Sequence, residues 1–528
     1  MDMMDWSLKD FEPRPEQVRI IDEVIDAWDN GYENVIVEAG TGTGKSAIAT
    51  TLARMVNDSY ILTMTNQLQE QYLNDFKYML TEIKGKRNYP CNYGGYCNDC
   101  NREEMVSHNG KPLPKCDDCE YKIAVTTAQH SKTVLTNYDY LWYAGNYANQ
   151  WNTRELLIFD ESHNFEKKIM SLITQVLNRR TIYQEYAFDI FYPVTQGETL
   201  ESIKTPEYWQ GICEKLIEHE EQWFALFDTE SNVKEKKQHE NRLKRYVEIK
   251  EHLDEEDWII EIPNKSTILN DTSYREQGKH KGLKVEFKPL MVNDYTDDIF
   301  KFGDKKLFLT GTLGSKQRFC HWNGLDQDST IHIYVKSPFP VEHRPIIKDY
   351  VGNMSGFKNR VPNWKNAGAL VKIREIVKLH SGEKGVIHTS SNQQAWWIKK
   401  NIGSKLFRVA YGDNRAETIG MFEKSDKPIV LLGAGIKDGV DFKGDKCRYQ
   451  ILFKMPKPSI ASTQTIIRAK KDPTWYAYQT IMPLMQSYGR GIRDMSDYCT
   501  TYVLDSEFDN LLTNHKDLFN SYFLEAIQ

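Results

Sequence analysis

The chain has 528 residues, 40% hydrophobic and 27% charged, with a formal net charge of −6. That length allows roughly three or four domains with cores of their own, and the negative balance excludes a generally basic nucleic-acid binder, so such a partner would need a local basic track. No run of about 18 apolar residues occurs and the start, "MDMMDWSLKD", is acidic, which predicts an intracellular, cytoplasmic protein with neither membrane span nor secretory leader.

Along the chain, "NVIVEA" (34–39), "SYILTMT" (59–65) and "ELLIFDE" (155–161) read as buried strands, and "SAIATTLARMV" (46–56) as a helix. This alternation predicts a parallel sheet with helices on both faces. A cysteine-rich segment interrupts it before residue 120. Residues 166–284 are long, charged and helix-compatible, as in "NVKEKKQHENRLKRYVEIKEHLDEED", and read as a solvated helical insertion. The α/β pattern returns at "KKLFLTGTL" (305–313) and continues through "KGVIHTSS", "PIVLLGAG" and "YQILFKMP" to "TYVLDSEF". "SPFP" (337–340) reads as the crossing between two sheets, since proline punctuates there.

"AGTGTGKS" stands between the first strand and its helix, the context a phosphate-binding loop needs. Gly40, Thr41, Gly42, Thr43 and Gly44 allow backbone N–H groups to converge on phosphate oxygens. The helix that follows points its positive end at the same anion. Lys45 can reach the outer phosphates and the Ser46 hydroxyl can ligate Mg²⁺. Asp160, ending the apolar run of "LLIFDESHN", supplies the other half of the metal site, and Glu161 is placed to orient and deprotonate the attacking water. His163 can couple nucleotide state to neighbouring loops. Arg490 and Arg493 flank "GI", at what reads as the start of a helix, and can meet the γ-phosphate from the opposite domain.

These stretches resemble, in order, the motifs of superfamily 2 helicases of the XPD/DinG class. "AGTGTGKS" resembles motif I, including Ala39 where the general loop pattern has glycine, and "DESH" resembles the "DEAH" box with Ser162 in place of alanine. "FEPRPEQ" resembles the upstream motif in which Gln17 would read the adenine edge. "TMTNQLQEQ", "VLTNYDYL", "LTGTL", "GVIHTSS", "KDGVDFKGD" and "QSYGRGIR" resemble motif Ia, the segment before motif II, and motifs III to VI. The resemblance runs from about residue 11 to residue 505 and implies two RecA-like motor domains around one ATP–Mg²⁺ site. It implies nucleotide sensing by Gln486 and a motif V role for Asp438, which stands where glutamate is common. Contacts to a nucleic-acid strand are expected near Thr65, Asn66, Thr389 and Ser390, through donors to phosphates rather than base readers.

Nine cysteines are present, five of them between residues 91 and 119. In a chain this large the cluster reads as a metal site rather than a disulfide framework. Cys97, Cys100, Cys116 and Cys119 have structural-zinc spacing. The resemblance instead implies a 4Fe–4S cluster, with Cys91 and Cys119 as first and last ligands and Cys97 and Cys100 between them. The basic run Lys84, Lys86 and Arg87 precedes it.

The fold expected is therefore α/β, with two RecA-like parallel-sheet motor domains and two insertions in the first, a small Cys-rich metal-binding one and a helical, Arch-like one. Motor domain 1 is expected at 1–90, 120–165 and 291–340, the Cys-rich insertion at 91–119, the helical insertion at 166–290 and motor domain 2 at 341–528. The activity implied is ATP-driven translocation on single-stranded DNA, 5′→3′ by resemblance, with unwinding of forked duplexes. The alternative is an ATP-gated remodelling module that displaces bound protein without separating strands.

Overall fold

The computed structural model describes residues 13–40, 42–91, 95–97, 119–226, 233–275, 282–436, 442, 444–492 and 495–528. Two wholly parallel sheets organise them. The first has seven strands in the order Thr330–Val335, Asn34–Ala39, Gly303–Thr310, Arg154–Phe159, Ser59–Thr63, Thr133–Asn137 and Thr81–Glu82. The second has six: Ile346–Gly352, Thr500–Asp505, Tyr449–Leu452, Gly385–Thr389, Val430–Ala434 and Phe407–Val409. Ser337 and Pro340 lie between the last strand of the first sheet and the first strand of the second. Among the described residues no helix is long and apolar enough to cross a membrane.

Strand sequence explains the layering. Alternate side chains leave opposite faces, so Val35 and Val37 enter one core with Ile48, Leu52 and Leu309. Ile36 enters the other, with six phenylalanines. There Phe159 stacks on Phe308 at 4.8 Å and Phe165 on Phe300 at 5.4 Å. Helices on both faces bury the middle of these strands, and runs such as 35–37 and 156–159 are correspondingly apolar.

The segment after residue 165 is not purely helical. Gln175–Asn178, Lys284–Pro289 and Trp258–Glu261 form a three-stranded antiparallel sheet. It packs with the helices Pro206–Leu226 and Val233–His252 around Trp209, Phe191, Phe287 and Ile249. The charge-rich second helix thus still contributes Tyr246 and Ile249 to a core.

The two sheet domains are joined through a buried ion pair. Arg468, on the helix Thr463–Lys471, meets Glu166 at the start of the helix Phe165–Ile173. Trp475 Nε1 and Gln479 Nε2 also donate to that carboxylate, at 3.1 and 3.3 Å. Burial opposes both charges, lowering the Arg468 pKa and raising that of Glu166. The pair therefore adds little net stability, but removing one partner strands the other. Arg468→Met is expected to cost about 3–5 kcal/mol in denaturant unfolding, and adding Glu166→Gln should restore part of it. A loss below about 1 kcal/mol would contradict this account.

Candidate nucleotide site

The site forms on three neighbouring strands of the first sheet, at their carboxyl ends, where parallel sheets bind ligands. After Asn34–Ala39 the chain turns through Gly42 (φ 85°) and Gly44 (φ 78°) into the helix Lys45–Met55. Gly44 is required twice over: its backbone is left-handed, and a Cβ there would lie 2.1 Å from Gln17 Nε2. That amide donates to Thr43 O at 3.0 Å and accepts from Arg14 N at 2.9 Å, while the Arg14 guanidinium donates to Gly42 O at 2.6 Å. Residues 14–17 thus brace the loop from behind. Gln17, expected to read an adenine edge, has both ends of its amide engaged by protein.

Lys45 Nζ donates to Ala39 O at 3.0 Å and Gly40 O at 3.3 Å, so its ammonium lies over the start of the loop. A Cβ on Gly311, in the "TGTL" turn, would sit 3.7 Å from it. Asp160 is 6% exposed. Its carboxyl is pushed up to about 6, chiefly by burial and then by the neighbouring Glu161 charge, against the opposing pull of Lys45. It accepts from Tyr72 OH at 3.1 Å and from Glu161 N at 2.9 Å. Burial and the Asp160 charge push the tyrosine hydroxyl well up, and Ser46 nearby pulls the other way. Tyr72, 2% exposed, therefore orients Asp160, which with Ser46 supplies oxygen donors suited to a hard divalent cation.

Glu161 has a left-handed backbone (φ 51°), uncommon for a residue with a side chain. Its Oε2 is 3.3 Å from His163 Nδ1. Asn164 Nδ2 lies 2.8 Å from His163 Nε2, which assigns Nε2 as acceptor and the proton to Nδ1, facing Glu161 and Thr310 Oγ1 at 3.2 Å. Thr310 ends the strand Gly303–Thr310 and donates to Thr312 O at 2.8 Å. Buried Glu38 accepts from Leu313 N at 2.9 Å and from Asn520 Nδ2 at 3.2 Å, so the loop strand, the "TGTL" turn and the C-terminal segment meet at one carboxylate.

From the second domain, Gln486 lies in the last turn of the helix Pro473–Tyr488. Arg490 follows that helix rather than starting one, its N–H donating to Ser487 O at 3.3 Å. A chain of contacts connects this end to the loop. A Cβ on Gly40 would lie 4.0 Å from Ser337 Cβ, Ser337 lies near enough to the Tyr522 hydroxyl to lower its pKa, and the Tyr522 and Tyr488 rings are 5.4 Å apart. Buried Arg344 donates to Tyr488 OH at 3.1 Å and pairs with Glu525, holding the C-terminal segment in place.

The residues expected to contact a strand carry internal hydrogen bonds. Thr65 Oγ1 caps the helix Asn66–Phe76 by accepting from Leu68 N at 3.3 Å. Asn66 accepts from Asn137 Nδ2 at 2.8 Å and donates to Asn88 Oδ1 at 3.3 Å, beside the run Lys84–Arg87. Thr389 donates to Ser391 O at 3.0 Å and Ser390 to Met455 O at 3.3 Å.

Cys97 Sγ is 3.9 Å from Cys119 Sγ. Burial pushes the Cys97 thiol up, and the Cys119 and Cys91 thiols push it the same way. Among the described residues no group of three His, Cys, Asp or Glu side chains is disposed to hold a metal ion. Thr41, Cys100, Cys116, Asp438 and Arg493 lie outside the described residues.

Residues 10–185 match the family described as the res subunit of type III restriction enzymes, and residues 373–523 match the helicase C-terminal domain family. These matches support an ATP-hydrolysing helicase, and the fold is that of two RecA-like domains in an XPD-like arrangement. The chain is 23% identical, over an alignment 616 positions long with gaps, to a probable ATP-dependent helicase of Methanocaldococcus jannaschii, covering 94% of this chain and 92% of the relative. An apo XPD structure superposes with a TM-score of 0.61 at 15% identity, over 95% of this chain and 98% of that one. An XPD helicase structure gives 0.60 at 16% identity, over 96% and 98%.

Proposed function

We propose that the chain is an ATP-dependent DNA helicase that moves 5′→3′ along single-stranded DNA and separates forked duplexes. The observation carrying this reading is the buried Asp160 carboxyl, oriented by Tyr72 and with its pKa pulled down by Lys45, whose ammonium lies over the start of the phosphate loop. Ser46 and Asp160 hold Mg²⁺, which when bound offsets phosphate charge. Lys45 binds the outer phosphates and the loop N–H groups cradle them. Glu161, held by His163, orients the water and takes its proton. Arg490 and Arg493 act on the γ-phosphate from motor domain 2, Gln486 senses the nucleotide, and Asp438 keeps the charge role of motif V at the nucleotide.

Residues 91–119 form a small metal lobe and 166–290 an Arch-like insertion, between which one strand is guided. The lobe carries a 4Fe–4S cluster on Cys91, Cys97, Cys100 and Cys119, with zinc on Cys97, Cys100, Cys116 and Cys119 as the alternative. Both sets contain the Cys97–Cys119 pair. Its 3.9 Å spacing is that of thiolates sharing one metal ion, about 3.8 Å apart around zinc, and supports the zinc alternative, since each cysteine of a 4Fe–4S cluster holds its own iron. The iron–sulfur set is supported by the family resemblance around Cys91 and Cys119.

Forked duplexes with a single 5′ or 3′ tail test the reading. Strand separation is expected only with ATP and the 5′ tail, from anaerobically purified protein whose iron and zinc are measured on the same preparation. ATP turnover without separation from either tail would replace this reading with that of a remodelling module.

A further inference from the structure

The helix Asn392–Ile402 starts just after Thr389 and Ser390 and runs away from them for eleven residues, about 16 Å. At its far end, against the edge strand Phe407–Val409, lies a concave face of about 640 Å³ lined by Lys399, Lys400, Lys405 and Arg408, with Trp396 and Phe407. No carboxylate lines it. A second concave face of the same domain intersperses Lys384, Lys427 and Arg448 with Glu383, Asp426 and Asp445, as is usual on a chain of net charge −6. Lysines in a helix's last turn complement its dipole, which accounts for Lys399 and Lys400. It does not account for Lys405 and Arg408, which follow the helix, nor for Trp396, which is 41% exposed. Lys399 Nζ sits 4.9 Å over the Trp396 ring, and the Tyr411 ring meets the indole edge-on at 5.2 Å. The indole is thus held in place at the surface beside four cations.

A cationic surface beside a fixed aromatic face is the chemistry of sequence-tolerant single-strand binding, with phosphates on the cations and a base stacked on the ring. We propose that this face is a second contact for single-stranded nucleic acid, taking up the strand where it leaves the Thr389–Ser390 end of the helix. A base stacks on Trp396, and Lys399, Lys400, Lys405 and Arg408 hold the adjoining phosphates. The inference rests on the nucleic-acid reading of the motor.

Fluorescence anisotropy with oligothymidylates of about 8 and about 30 nucleotides, shorter and longer than one motor footprint, separates the two. For the long oligonucleotide, Lys400→Gln/Lys405→Gln should reduce the slope of log affinity against log salt by about 1.4. Trp396→Ala should weaken the same complex about tenfold. Both variants should bind the short oligonucleotide as the parent chain does and melt at its temperature. An undiminished long complex, or equal losses at both lengths, would overturn the proposal. Failure of the parent chain to bind either length would instead overturn the nucleic-acid reading beneath it.

Discussion

Lys45→Ala is expected to abolish nucleic-acid-stimulated ATP hydrolysis, with a loss of about 10³-fold or more. Two effects combine. The ammonium over Ala39 O and Gly40 O is the loop's own cation for the outer phosphates, and alanine removes it. The same charge restrains the Asp160 carboxyl, which burial already pushes up to about 6. Without Lys45 a larger fraction of Asp160 is protonated near neutrality, and a protonated carboxyl is a poor Mg²⁺ ligand. Phosphate release with saturating single-stranded DNA, alongside ATP binding, measures both effects. Full turnover in the variant would remove Lys45 from the site.

Sequence legibility followed burial and distance along the chain. Strands buried on both faces, such as Asn34–Ala39 and Val430–Ala434, stood out as continuous apolar runs. The antiparallel sheet after residue 165 did not. Gln175–Asn178 and Trp258–Glu261 have four residues each, and Lys284–Pro289 carries two lysines and a glutamate among its apolar positions. Charge count hid a period of two. The helix Pro473–Tyr488 was masked by Pro483 inside it, although Asp472, which caps it, and Pro473 mark its start. Arg490 was consequently expected at a helix start and follows a helix end.

The same distinction holds at the site. Lys45, Ser46 and Asp160 were readable because loop chemistry is local in sequence. Tyr72 reaches Asp160 across 88 residues, and Glu38 meets Asn520 across 482. Such contacts arise only when the sheet order brings strands together, and a tyrosine in a helix carries no local sign of them. Gln17 was found by motif, but its hydrogen bonds to Thr43 and Arg14 depend on the tight approach that Gly44 permits.

The central claim is that both motor domains share one triphosphate. Tyr488, two residues before Arg490, packs against Tyr522 at 5.4 Å, and Ser337, near the Tyr522 hydroxyl, faces Gly40 of the phosphate loop. An arginine reaching the γ-phosphate from across the cleft stabilises charge that develops in the transition state. The direct measurement is the ATP hydrolysis rate of Arg490→Ala at saturating ATP and single-stranded DNA. The account requires a fall of about 10³–10⁵-fold with ATP still bound, whereas hydrolysis at the parent rate would contradict a site completed by the second domain.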